Sequence, residues 1–157
     1  TMSNLTFGNN NYGYYETICG GEGASKNHHG TSAVQCHMTN TRLTDPEILE
    51  LRYPVKINNF SIRKNSGGKG LFHGGNGVIR EIEFYENMTA VILSNRRSIA
   101  PFGILQGNDG LIGINILKRK KKKYLRLKSS ESINIKSGDI LIIKTPGGGG
   151  YGKKTTL

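Results

Sequence analysis

At 157 residues the chain is long enough for one domain with a substantial core. Only 35% of it is apolar, Trp is absent and Gly supplies 22 residues, so the sequence demands many turns and close backbone approaches. The formal charge of +11 suggests an anionic partner, but the run Lys118–Lys123 alone supplies six of those charges and reads as the solvated tip of a hairpin, so neither nucleic acid nor membrane is an expected partner.

In chain order, a strand is predicted around Leu5–Phe7, a turn over 8–13 and a second strand over 14–18. The Gly20–Ala24 loop that follows is not a dinucleotide fingerprint, because Lys occupies position 26. Cys19 and Cys36 lack C-x-x-C spacing, which argues against a disulfide scaffold and a zinc ribbon and for a reducing compartment, the cytoplasm. No apolar run approaches the 18 residues of a membrane span, and Thr1–Leu5 has no basic n-region of a signal peptide.

From His29 to Pro54 the chain concentrates polar chemistry: two His, a row of hydroxyls, Arg42, Asp45 and Glu47. Thr44 and Glu47 have capping-box spacing, Pro46 suits a first turn and Pro54 stops the segment, predicting a helix of about two turns near 45–52. Period-2 patterning then predicts strands over 55–63, 78–85, 88–94, 111–117, 124–128, 133–135 and 140–144, separated by turns at 66–70, 73–77, 101–103 and 107–110. The expected fold is mainly β (α+β), a single sandwich- or barrel-like domain with one short helix.

Several stretches carry candidate chemistry. Gly147-x-Gly149-x-x-Gly152 has the form of a phosphate loop, yet no helix follows it to face a pyrophosphate, and Lys154 stands where a P-loop needs Ser or Thr. Tight backbone packing is the competing reading. His28, His29, Cys36 and His37 match no standard zinc spacing. His37 reads as a general acid/base or substrate donor, or as a structural His. Arg42 is placed to clamp a carboxylate, or to pair with Glu47 or Glu50. Capping accounts for Asp45 and Glu47. His37 and Arg42 are thus the catalytic candidates, and Thr39, Asn40 and Thr41 the substrate-binding ones.

The words Tyr14-Tyr15-Glu16-Thr17-Ile18, His37 through Glu50, Arg52-Tyr53-Pro54-Val55, Ser66–Gly70, His73–Gly77, Pro101-Phe102-Gly103 and Thr145–Gly152, in that order, resemble the hydantoinase B/5-oxoprolinase family. The Thr44–Glu50 form is closest to its 5-oxoprolinase branch. The resemblance implies ATP-dependent opening of the 5-oxo-L-proline lactam to L-glutamate, with ATP hydantoinase or ketone carboxylase chemistry as the alternative. It also implies a piece of a larger enzyme: the C-terminal portion of a hydantoinase B-like polypeptide. ATP would bind a hydantoinase A-like portion, and a divalent metal the rest of the B-like portion, both outside this chain. The expected partners are those portions and a small cyclic amide, within an oligomer. A non-catalytic assembly module is the reading from another class.

Overall fold

The computed structural model describes residues 1–36, 39–120 and 123–153. Among these residues nine strands form: β1 (Ser3–Gly8), β2 (Gly13–Thr17), β3 (Val55–Ile62), β4 (Val78–Phe84), β5 (Met88–Ser94), β6 (Ile114–Lys118), β7 (Tyr124–Leu127), β8 (Ser130–Ile135) and β9 (Ile140–Lys144). One helix, α1 (Pro46–Arg52), joins β2 to β3 by way of the polar stretch. The strands form two antiparallel sheets, ordered β2-β1-β5-β8 and β3-β4-β9-β6-β7. The expected mainly β architecture with one short helix is what forms.

The sheets share one core. Leu5, Phe7, Ala90 and Ile92 of the first sheet cluster with Val78, Ile82, Phe84, Leu141 and Ile143 of the second. The Phe7 and Phe84 rings meet edge-to-face at 5.4 Å. β4 and β5 owe their places to strict alternation, every second residue buried.

Several boundaries differ from the sequence reading, three of them for a clear hydrogen-bonding reason. The helix N-cap is Asp45, not Thr44, because the Asp45 carboxylate accepts the Glu47 amide at 2.9 Å. β6 begins at Ile114 rather than 111, because the Leu111 amide goes to the Ser66 carbonyl and the Gly113 amide to Arg96. β8 begins at Ser130 rather than 133, since Ser130, Glu131 and Ser132 pair with Leu93, Ile92 and Val91 of β5 despite their polarity. The basic run sits where expected, between paired β6 and β7, with the Arg119 amide bonded to the Lys123 carbonyl; residues 121 and 122 lie outside the described set.

A buried ion pair ties the sheets together. Arg80 on β4 is fully buried and grips Glu16 on β2 with two parallel bonds, Nε to Oε1 at 2.7 Å and Nη2 to Oε2 at 2.9 Å. The Tyr14 hydroxyl donates to the same carboxylate, and the Phe60 ring covers the guanidinium at 5.0 Å. Nη1 of Arg80 has no hydrogen-bond partner among the described residues.

The other organising unit has no regular strand. Residues 146–150 are buried, and successive groups bond in different directions. The Gly148 amide donates to the Gly75 carbonyl and the Gly150 amide to Asn108, while the Gly148, Gly149 and Gly150 carbonyls accept from Gly68, Ala24 and Ile104. A β-strand serves only two neighbours; this segment serves several stretches around it, as chains do in bundles with three residues per turn, where only Gly fits the axis. A Cβ on Gly147, Gly148, Gly149 or Gly150 would overlap the backbone of Ser66, Glu22, Phe102 or Lys69 respectively. None of the four has a positive φ, so space, not conformation, requires the glycine.

Two outcomes follow. Gly148→Ala forces backbone apart and exceeds the ~1–3 kcal/mol of ordinary overpacking; it is expected to leave the chain without native circular dichroism or a compact gel-filtration peak. Glu16→Gln leaves Arg80 charged and buried, and is expected to lower stability by about 3–5 kcal/mol in urea unfolding.

Candidate functional site

The polar stretch after Val34 descends between β1–β2 and the glycine bundle. The Val34 amide bonds to the Gly20 carbonyl, and the Gln35 amide side chain reaches the Thr17 carbonyl at 2.7 Å. Thr39 directs both its amide and its hydroxyl (2.9 Å) to the Cys36 carbonyl. Cys36 and Thr1 form a partition with a cavity on each side.

The first cavity, about 580 Å³, is lined by hydroxyls and amides: Tyr15, Thr17, Thr39, Thr41, Asn4 and Asn95 among them. The Tyr15 and Thr17 hydroxyls share a 3.0 Å bond, and Asn95 Oδ1 accepts the Met2 amide. Asn4 Oδ1 is buried with no partner among the described residues. Among the described residues no charged side chain lines this cavity, so it suits a neutral polar group held by directional bonds. The second cavity, about 470 Å³, is walled by Gly148–Gly150 and Ala24 and carries opposite charges, Glu22 and Arg96. Arg96 holds a left-handed φ of 55°, donates to the Ala100 carbonyl and lies 5.9 Å from the Phe102 ring. Non-glycine residues hold that conformation only where their surroundings impose it.

The predicted site residues separate. Thr39 and Thr41 both line the neutral cavity. Asn40 and Arg42 are exposed and line neither cavity. Arg42 makes no ion pair with Glu47 or Glu50; Glu50 instead accepts the Ile57 amide at 2.8 Å. His37 lies outside the described residues. Sequence reading passed over Tyr15, Asn95, Glu22 and Arg96. Each sits in a strand, at a strand end or in a loop, and nothing local signals that the fold gathers them.

The phosphate reading of Gly147–Gly152 meets a direct obstacle. A phosphate cradle needs free amides, whereas those of Gly147, Gly148 and Gly150 are spent on the carbonyls of Leu111, Gly75 and Asn108. These residues do not fit a nucleotide. Two of the histidines serve backbone: the His73 amide donates to His29 Nδ1 at 2.9 Å and the Gly70 amide to His73 Nδ1 at 3.3 Å. Among the described residues no group of three His, Cys, Asp or Glu side chains is close enough to hold a metal ion.

The family described as Hydantoinase B/oxoprolinase matches residues 1–154. The chain belongs to this family. It is 53% identical over 156 residues to 5-oxoprolinase of Dictyostelium discoideum, and 54% identical over 151 residues to 5-oxoprolinase 1 of Arabidopsis thaliana. Those matches cover 99% and 96% of this chain but 12% of either relative, so the chain spans about an eighth of their length. The crystal structure of the ATP-dependent caprolactamase from Pseudomonas jessenii superposes with a TM-score of 0.73 at 26% identity, over 97% of this chain and 28% of that one. The hydantoinase B/oxoprolinase assignment carries an enzyme family with it. Among the described residues no helix is long and apolar enough to cross a membrane.

The cysteines give a chemical check. Burial raises the Cys36 thiol pKa, and the Glu22 charge raises it further; burial does the same to Cys19. A raised thiol pKa means less thiolate at a given pH. At neutral pH both are expected to react with iodoacetamide more slowly than free cysteine. As pH rises, Cys36 is expected to accelerate first, because Cys19 is only 7% exposed. Peptide mass mapping over time reads both rates.

Proposed function

We infer that this chain is part of an ATP-dependent amidohydrolase that opens the lactam of 5-oxo-L-proline to L-glutamate. The observation that carries the reading is the 53% identity to a 5-oxoprolinase across 99% of the chain. The chemistry is coherent: a lactam is a poor electrophile, and phosphorylating its oxygen makes the carbonyl carbon open to water. In this reading the chain is a C-terminal portion of a hydantoinase B-like polypeptide in the cytoplasm. Nucleotide and divalent metal belong to portions outside these 157 residues, which agrees with a glycine segment whose amides are already bonded.

Within such an assembly the neutral cavity is the place for a lactam. Thr39 and Thr41 line it as hydrogen-bonding groups for substrate. His37 and Arg42 remain the proposed catalytic groups and Asn40 a further proposed substrate contact, from their place in the same polar stretch as Thr39 and Thr41. The exposed apolar side chains fit a chain that works inside something larger: Ile99 is 73% exposed, Leu105 66% and Phe102 63%.

The test completes the assembly with the remaining portions of a 5-oxoprolinase and measures glutamate released from 5-oxoproline with ATP. Activity is expected, and it should require this chain. Thr41→Val is expected to raise KM about tenfold or more, the loss of one hydrogen bond to a polar substrate. A complete assembly that opens a hydantoin but leaves 5-oxoproline intact would sink the substrate assignment.

A further inference from the structure

A second arginine is buried under very different terms from Arg80. Arg97, just past β5, is 8% exposed. Its guanidinium donates to Asn115 Oδ1 at 3.0 Å, the Asn95 carbonyl at 2.7 Å and Ser3 Oγ at 3.1 Å, all neutral oxygens. Asn115, itself 1% exposed, is locked in turn by the Ser94 hydroxyl and the Lys128 carbonyl. Gly113 lies flat beneath the guanidinium, and any Cβ there would overlap it. The cation is therefore built in place, but no carboxylate compensates it.

This cation lines a recess of about 280 Å³, between the chain after β5, the start of β6 and the turn from β7 to β8. Arg126, Lys128, Ser98 and Ser129 line it too. All eleven Asp and Glu residues belong to the described part of the chain, and between described residues the ion pairs are Arg80–Glu16 and Arg119–Asp139, neither of which includes Arg97. Glu131 turns its carboxylate to the Lys128 amide at 2.7 Å. Arg63 stands behind, donating to the Ile112 and Thr145 carbonyls, again without an acid. Burying a cation without a counter-charge is costly. Burial, and then the Arg63 charge, hold the Arg97 pKa down to about 10.

We propose that this recess binds a phosphate dianion, held by Arg97, Arg126 and Lys128, with Ser98 and Ser129 as hydroxyl donors. Arg97 supplies the rigid, prepositioned fork and the two exposed cations close over the ion. Three positive charges around a small volume favour a dianion over a single carboxylate. The phosphate is either the free ion or a group carried on a small molecule, and the recess is distinct from the neutral cavity beside Thr39.

The test labels the 157-residue chain with nitrogen-15 and follows the Arg97 Nε–Hε resonance during titration with inorganic phosphate at constant ionic strength. A parallel titration uses AMP, and sodium chloride is the control. A saturable shift with phosphate, absent with chloride, is expected. In Arg126→Gln/Lys128→Gln, which changes only exposed residues, the apparent Kd should rise about tenfold or more, the equivalent of one lost charge-assisted bond. Should that double variant fail to show native circular dichroism, Lys128→Gln alone carries the comparison. Saturation by AMP as well supports a carried phosphate, and saturation by inorganic phosphate alone supports the free ion. An identical response to chloride, a response that never saturates, or unchanged binding by the variant overturns the proposal.

Discussion

Gly147 to Gly150 leave no room for a Cβ on any side, and the stretches around them come from widely separated parts of the chain. The bonds that hold this bundle are backbone to backbone, so its geometry depends on the absence of side chains. Both cavities depend on it. Gly148–Gly150 and Ala24 form one wall of the charged cavity, and the segment that closes the neutral one is anchored through the Val34–Gly20 bond. Strands supply a conventional apolar core, and the glycine bundle fixes how the loops above it are disposed.

Arginine is used in two contrasting ways. Arg80 reaches across the core to a carboxylate on the other sheet, a pairing that compensates its burial and fixes the relative position of the two sheets. Arg97 is surrounded by amide, carbonyl and hydroxyl oxygens, which take up three of its five N–H donors while leaving its charge uncompensated. The first arrangement closes a structure; the second leaves an electrostatic demand at the protein surface.

The strands were legible because their cause is local. Alternation in β4 and β5 appears in the sequence as it does in the structure, and Pro46 and Pro54 bracket α1 as their stereochemistry requires. The family was legible from ordered words. The polar stretch was legible as a stretch, but not which of its side chains face a cavity: Thr39 and Thr41 do, while Arg42 is exposed and lines neither cavity. What stayed hidden was non-local. The Glu16–Arg80 pair spans 64 positions, and Tyr15 and Asn95 meet only because β1 lies between β2 and β5. The glycine word at 147–152 was ambiguous, since a phosphate loop and a backbone-packed axis ask for the same residue type. Only the destination of each amide separates them.

The bundle also sets an order of events. Its axis, residues 146–150, comes later in the chain than every stretch that surrounds it, from Gly21 through Leu111. During synthesis those loops emerge with polar backbone groups that have no mate until the axis arrives. Both sheets can begin to pair beforehand, since every described strand, through β9, precedes it, but the loops cannot settle. Loop closures this long make folding slow and leave early intermediates sticky. A chain of this design depends on glycines made after the loops they hold together, and a ribosome that stalls shortly before them leaves a polypeptide with its strands made and their centre missing.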